Sequence, residues 1–340
     1  MNIPRSLQEL PGRWAQMCLK VRDFVCKELG VDIKGASLLI GASGGVDSTA
    51  LICILSALTP GMDLRLGAAY LDHGLRPETG EEKRFVKEIC TQGGIEFYFG
   101  ASSIEIYARS RGMGIEDAAR TIRYRYLEGL RKKKGFDYIV VAHQLNDLAE
   151  DVLLRLIRGS AWPSLGGMKA FSREKRIIRP LLMTPKEKLI DFLKELHIGW
   201  KEDPSNRDLI YRRNRIRHCI LPLFLQENPN FLQAIARLWR LAMLEERDIE
   251  RKLKEMRARE KHLSQKIILP LNELETLSPS ERLRWYKDVL DRMGRGQVVF
   301  ENLLALEECV KEKRTGKKIQ FPGGKVALVS RRGICFCPLK

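Results

Sequence analysis

The stretch that most restricts how this chain can fold is Ser43-Gly44-Gly45-Val46-Asp47-Ser48, taken with its flanks. Ahead of it, Ser37-Leu38-Leu39-Ile40-Gly41-Ala42 is a short apolar run ending in small residues, the pattern of a buried strand giving way to a turn. Behind it, residues 49–58 stay apolar until Thr59-Pro60-Gly61 interrupts them, as in a buried helix. Strand, glycine-rich turn and helix present free backbone N–H groups and a positive helix end to an anion. Adjacent glycines allow close backbone approach, and the serine hydroxyls can donate to phosphate oxygens. The expectation is a nucleotide-phosphate loop. It is not a Walker A motif, because no Gly-Lys-Ser/Thr follows at the required spacing, and it is not the dinucleotide fingerprint.

The surrounding pattern predicts an α/β fold. Residues 10–30 read as an amphipathic helix, 66–71 as a second strand, 80–90 as a helix, 95–99 as a third strand, 115–134 as a long basic helix, 138–142 as a fourth strand and 145–157 as a further helix. Strands that are continuous apolar runs alternating with helices indicate a doubly wound parallel sheet, whose ligands bind beyond the carboxyl ends of the strands. Beyond residue 222 the pattern changes. Residues 231–259 are helical, with an apolar stripe of Leu238, Trp239, Leu241, Met243 and Leu244; residues 264–312 read as more helices, and 317–329 as a hairpin across Pro322-Gly323-Gly324. The expected domains are 1–225, catalytic, and 226–340, mostly helical and ending in a small β-hairpin.

Lysine plus arginine outnumber aspartate plus glutamate by 60 to 43, a net charge of +17 that favours a polyanionic partner. None of the eight cysteines forms a C-x-x-C pair, so they read as reduced thiols, and a zinc or iron–sulfur site is not expected. The first residues lack the apolar core of a signal peptide and no apolar run approaches a membrane span, so the expected location is the cytoplasm, with no membrane partner.

Three clusters carry the candidate chemistry. His143, Asp147 and Glu150, spaced i, i+4, i+7, share the polar face of the helix after the fourth strand, while Leu145, Leu148, Ala149, Val152, Leu153 and Leu156 cover the other face. Such a trio could orient Mg²⁺, bind an amine or move a proton. Arg120 and Arg123 suit phosphate through their planar forks, although the sequence around them does not separate a catalytic arginine from a basic helix face. Finally, Asp203-Pro204-Ser205-Asn206-Arg207-Asp208, followed by Tyr211, Arg212, Arg213, Asn214, Arg215 and Arg217, can contact phosphates and stack on an exposed base, or simply begin a charged helix.

The loop resembles the S-G-G-x-D-S motif of the PP-loop ATP pyrophosphatases, which cleave ATP to AMP and pyrophosphate. The further combination of Leu71-Asp72-His73-Gly74-Leu75-Arg76, Glu116-Asp117-Ala118-Ala119-Arg120 with Arg123-Tyr124, Ala142-His143 with Asp147 and Glu150, Leu153 to Ser160, Arg179-Pro180-Leu181-Leu182, and Asp203 to Arg217 resembles the bacterial tRNA(Ile)-lysidine synthetases over residues 36–222. The tail, Phe321-Pro322-Gly323-Gly324, is similar more loosely. The resemblance implies ligation of free L-lysine to C2 of the wobble cytidine in the CAU anticodon of tRNA(Ile), through an adenylated cytidine, so that AUA is decoded in place of AUG. It implies ATP and Mg²⁺ as cofactors, a nucleotide loop of Ser43, Gly44, Gly45, Val46, Asp47 and Ser48, and catalytic or substrate roles for Asp47, Arg123, His143, Asp147 and Glu150. It assigns no metal ligand, and oligomeric state stays open, a homodimer included. The chain departs from the family's His-His-x-Asp-Asp-Gln-x-Glu-Thr, with Gln144, Asn146, Leu148 and Asp151 at the second histidine, first aspartate, glutamine and threonine. Rival readings are a tRNA thiolase, disfavoured for cytidine C2 because no C-x-x-C is present, an amidating ligase, which leaves the arginines at 212–217 without purpose, and a catalytically silent RNA-binding protein.

Overall fold

The computed structural model describes residues 3–72, 79–201, 208–296 and 298–339. The chain divides into two compact units, Met1–Met243 and Leu244–Lys340. The first runs α1 (Gly12–Asp23), β1 (Ser37–Ala42), α2 (Val46–Met62), β2 (Arg65–Asp72), α3 (Thr79–Gly93), β3 (Glu96–Ala101), α4 (Ile104–Arg111), α5 (Ile115–Lys134), β4 (Tyr138–Val140), α6 (Leu145–Ile157), the short strands β5 (Phe171–Ser172) and β6 (Ile177–Ile178), α7 (Lys186–Glu195), α8 (Arg212–Arg215) and α9 (Leu221–Glu227). The helix α10 (Phe231–Arg257) contains the division.

The sheet of the first unit has the order β3-β2-β1-β4-β6-β5, parallel except for the edge strand β5. Leu38, Leu39 and Ile40 of β1 pair with Leu66, Gly67 and Ala68 on one side and Tyr138, Ile139 and Val140 on the other. Alternate residues serve opposite faces. Leu38, Ile40, Ala68, Tyr70 and Val140 enter the core with α2, whereas Leu39, Ala69, Ile139 and Val141 pack with Leu127 and Phe136. Both faces are therefore buried, which is why these strands read as continuous apolar runs. Phe136 crosses the sheet so closely that a Cβ on Gly67 would lie 2.4 Å from its ring.

This order sets the site. From β1 the chain builds β2 and β3 to one side, then returns to place β4 on the other, so the topology switches between β1 and β4. A cleft opens at such a point beyond the strand carboxyl ends. The glycine-rich loop follows β1, and His143 and Gln144 follow β4.

Three expectations are corrected. The division lies within α10 and not at 225/226, because Leu232, Ile235, Ala236 and Trp239 are buried in the first unit's core. The indole of Trp239 also donates to the Met168 carbonyl at 2.9 Å. Of the expected stripe on this helix, Leu241 and Leu244 are exposed. In the second unit, residues 264–270 are not helical. β7 (Lys261–Leu263) and β8 (Lys266–Pro270) precede the helices α11 (Leu271–Glu275), α12 (Pro279–Arg292) and α13 (Phe300–Lys311), and β9 (Lys318–Phe321), β10 (Lys325–Ser330) and β11 (Gly333–Pro338) follow. The expected terminal hairpin is β9–β10, within a five-stranded antiparallel sheet of order β7-β8-β11-β10-β9. Trp285, Tyr286, Val289 and Leu290 of α12 pack with Leu306, Ala327, Ile334 and Phe336 to form this unit's core.

Candidate active site

The loop after β1 is locked by its own side chains. Gly44 takes φ +80, a left-handed conformation that favours glycine, and a Cβ there would press on Val86 at 3.3 Å and Phe85 at 3.5 Å. The Ser43 N–H donates to Ser48 Oγ at 3.2 Å, and Ser48 Oγ donates to the Gly45 carbonyl at 3.1 Å. From the far side, the Lys201 N–H donates to the Gly44 carbonyl at 2.9 Å. Gly45 caps α2, whose first-turn N–H groups have no acceptor within the helix and point beyond the strand ends. The loop thus has the strand, turn and helix form expected from the sequence.

Asp47 stands in the first turn of α2, and its Oδ1 is buried without a hydrogen-bond partner among the described residues. Burial, followed by the nearby negative charge of Asp147, pushes its carboxyl up from 3.8 to about 7; Lys186 and Arg217 oppose the rise and Glu150 adds to it. Five groups from α2, α6, α7 and the segment around α8 therefore share one electrostatic neighbourhood.

Asp147 and Glu150 share one face of α6, and that face is buried. Glu150 is 1% exposed and Asp147 8%. Arg213 donates through Nε to Glu150 Oε2 at 2.8 Å and through Nη2 to Asp147 Oδ1 at 3.2 Å. Arg217 donates through Nε to Glu150 Oε1 at 2.6 Å, and through Nη2 to Asp147 Oδ1 and Glu150 Oε2, both at 3.0 Å. The two arginines read from sequence as RNA contacts are here the partners of the two acids read as catalytic. Two charges of each sign neutralise one another in a partly desolvated cleft, where geometry this complete is needed to offset desolvation.

His143 lies just before α6 and not on it, because Gln144 is the helix cap. The Gln144 side chain accepts from the Asn146 N–H at 2.5 Å, and the Gln144 backbone N–H donates to Asp147 Oδ2 at 3.1 Å. The residue replacing the family's second histidine therefore fixes the start of the helix that carries both acids. Burial, and then the positive charges of Arg179, Arg213, Arg120 and Arg123, hold the His143 pKa well below its ordinary 6.5. The ring is a neutral imidazole at physiological pH, and its Nδ1 has no partner among the described residues.

The remaining expected residues divide. Arg212 is exposed, whereas Arg215 donates to the Leu209 and Ile210 carbonyls at 2.7 and 2.6 Å and so braces its own loop. Asn214 is buried and donates to the Asp208 carbonyl at 2.8 Å. Tyr211 caps α8 through its backbone only and is half-buried. Arg123 is exposed on α5, one turn from Arg120, which stacks over Tyr124. Arg207, with His73 and residues 203–206, lies outside the described residues. Leu156, expected on the apolar face of α6, is exposed.

Sequence reasoning gave no role to Arg179, Lys186 or Lys201. Arg179 is buried; its Nη1 donates to the Lys169 carbonyl at 2.7 Å and its Nε has no partner among the described residues. The Lys186 N–H donates to Asn146 Oδ1 at 3.1 Å, tying the start of α7 to that of α6. Arginine followed by proline, Arg179-Pro180, was the available signal for the first, and Thr184-Pro185-Lys186 at a helix start for the second.

Residues 19–224 match the PP-loop domain family. The tRNA(Ile)-lysidine synthase of Nitratidesulfovibrio vulgaris is 39% identical over 326 residues, covering 91% of this chain and 94% of that protein. The tRNA(Ile)-lysidine synthases of Thermosipho africanus and Bacillus subtilis are 38% and 35% identical over 59% and 62% of this chain. The match spans less than half of those two relatives, 46% and 45% of their lengths. Among solved structures, the U34-tRNA thiolase NcsA of Methanococcus maripaludis, with its [4Fe-4S] cluster, is similar in fold, with a TM-score of 0.57 at 18% identity over 67% of this chain and 79% of that one.

Proposed function

The chain belongs to the PP-loop family and, within it, to the tRNA(Ile)-lysidine synthases, and on that premise we propose that it joins free L-lysine to C2 of the wobble cytidine of tRNA(Ile) bearing a CAU anticodon. The observation that carries this reading is the glycine loop at the β1/β4 switch point with a buried pair of acids and a neutral histidine beside it. ATP use follows from the family. In the first step the C2 oxygen attacks the α-phosphorus of ATP and pyrophosphate leaves. In the second, the ε-amine attacks C2, the C–O bond breaks, and AMP departs with that oxygen.

The residues supply distinct parts of this. The loop N–H groups of residues 44–48 and the start of α2 cradle the phosphates, and Arg123 offsets negative charge developing on them. Asp147 and Glu150 form a site for an organic cation, since two guanidinium groups already occupy it, and so would hold an ammonium of lysine. His143, unprotonated, can accept a hydrogen bond or a proton without adding to the positive charge around it. No cluster of three or more His, Cys, Asp or Glu side chains able to hold a metal exists among the described residues. The orphaned Oδ1 of Asp47 fits Mg²⁺ shared with phosphate oxygens, the way this ion is usually held beside a nucleotide. When bound, the ion supplies charge to the pyrophosphate.

Exposed Arg212 and the exposed run Lys311, Lys313, Arg314, Lys317 and Lys318 in the second unit support RNA contacts from both units. No helix among the described residues is long and apolar enough to cross a membrane; we assign the enzyme to the cytoplasm with its tRNA. The test is incubation with ATP, radiolabelled lysine and unmodified tRNA(Ile) with a CAU anticodon. Lysine incorporation stoichiometric with AMP is expected. Absence of incorporation with a sulfur donor accepted instead would replace this reading with thiolation.

A further inference from the structure

Every inward carboxylate oxygen of the Asp147–Glu150 pair is engaged. Asp147 Oδ1 accepts from both arginines, Glu150 Oε2 accepts from both, and Glu150 Oε1 accepts from Arg217. The remaining oxygen, Asp147 Oδ2, is held by the Gln144 N–H at 3.1 Å. With Glu150 1% exposed, an entering ammonium cannot reach it without displacing a guanidinium.

The arginines differ from the acids in one respect: their side chains are 28% and 25% exposed, so they lie between the buried acids and the solvent-accessible side of the site. Arg213 also adds to the positive field at His143, together with Arg120, Arg123 and Arg179, and Arg217 acts on Asp47 in the nucleotide loop. A phosphate arriving there offers these arginines a second set of acceptor oxygens with the fork geometry they already use.

We propose that Arg213 and Arg217 are positioning residues that set the order of substrate entry: they clasp the amine site shut until phosphate from a bound substrate draws at least one guanidinium away, and only then does lysine bind. This rests on the reading of Asp147 and Glu150 as the ammonium site. The exchange keeps charge balanced at each stage. Two guanidiniums neutralise two carboxylates in the unliganded protein; afterwards an ammonium takes the vacated place while the released arginine pairs with phosphate. The consequence is positive coupling between lysine and the phosphate-bearing substrate, reciprocal by thermodynamic necessity. It also excludes free amines from the site when no acceptor is present, so the acids do not fill with other cations.

The experiment is equilibrium dialysis of radiolabelled lysine against the full chain in four arms: protein alone, with Mg²⁺ and an ATP analogue whose α–β bond cannot be cleaved, with tRNA(Ile), and with both. Lysine affinity is expected to rise roughly tenfold or more in a phosphate-bearing arm, within the usual range of coupled sites, and the arm in which it rises identifies nucleotide or RNA as the source. Arg213→Gln should bind lysine more tightly than the parent in the protein-alone arm and lose most of the coupling. Arg217→Gln is the second variant, with melting temperature as the check on folding. Equal lysine affinity in all arms, or a uniform weakening by Arg213→Gln across arms, overturns the clasp. Lysine incorporation by the parent protein separates the two failures. Incorporation with uncoupled binding rejects the clasp alone, whereas no incorporation and no lysine retention in any arm rejects the proposed function as well.

Discussion

Asp47→Asn should abolish ATP-dependent turnover and yet make the unliganded protein more stable at alkaline pH. The Asp47 carboxyl is raised from 3.8 to about 7, chiefly by burial and then by Asp147. A group whose folded pKa exceeds its unfolded value costs the fold nothing below the unfolded pKa and its full penalty above the folded one. The penalty therefore grows between pH 3.8 and about 7. At about 1.36 kcal/mol per pH unit, it reaches at most about 4 kcal/mol near pH 8. Asparagine has no proton to lose, but its amide brings a donor into a buried position, which returns about 1–2 kcal/mol. The net gain of about 2–3 kcal/mol corresponds to roughly 5–10 °C for a unit of this size. Thermal melts in EDTA, without nucleotide, at about pH 4.5 and about pH 8 check it: the variant's advantage should be large at the higher pH and nearly vanish at the lower. A variant that melts below the parent near pH 8, or with the same offset at both pH values, refutes the assignment of Asp47 as a strained, uncompensated charge.

Gly44→Ala forces a side chain into φ +80 against Val86 and Phe85; it should destabilise the first unit by about 1–3 kcal/mol and weaken ATP binding, read by calorimetric titration. Arg212→Glu, on an exposed side chain, should weaken tRNA binding and lower the slope of log K against log salt by about 1, with lysine and ATP affinities unmoved. The His143 imidazole, kept below its ordinary pKa by burial and four arginines, should show the chemical shifts of the neutral ring at neutral pH and titrate at a more acid pH than a free imidazole, read by NMR titration. Lys325→Met removes the ammonium of a 2%-exposed residue, which donates to the carbonyls of Leu290 and Gly294 at 2.7 and 2.9 Å; the stability of the second unit, read by melting, should fall by about 1–3 kcal/mol while ATP binding by the intact chain is unaltered.

The parts of the fold visible in the sequence were those set by neighbours along the chain. Leu38-Leu39-Ile40 reads as a buried strand because both faces of β1 are covered, and Ser43-Gly44-Gly45 reads as a strand-to-helix turn because its conformation is set locally. The helix bounds Ile115–Lys134 and Leu145–Ile157 coincide with the expected ones for the same reason. Failures occurred where packing from a distance decides. The first half of α10 belongs with the first unit because Trp239 reaches Met168, a partner that periodicity within the helix cannot name. The segment 266–270 forms a strand because Ile267, Ile268 and Leu269 pair with β11, far along the chain.

The site illustrates the same limit in its charges. Spacing placed Asp147 and Glu150 on one face of α6 and grouped four arginines at 212–217, but spacing cannot say whether an arginine faces solvent or an acid more than sixty positions earlier. The fold divides that cluster by geometry: residues 213 and 217, four apart on successive turns, reach inward, while 212 points to solvent and 215 turns back on Leu209 and Ile210. Assigning 213 and 217 wholly to RNA would leave a 1%-exposed Glu150 without a partner in the free protein, a cost of several kcal/mol. On the proposed reading of Asp147 and Glu150 as the ammonium site, assigning the arginines wholly to the acids would leave the ammonium of the second substrate no place to bind. Under that reading both demands are met when the guanidiniums exchange partners during the cycle, which would make the order of binding a property of the fold itself.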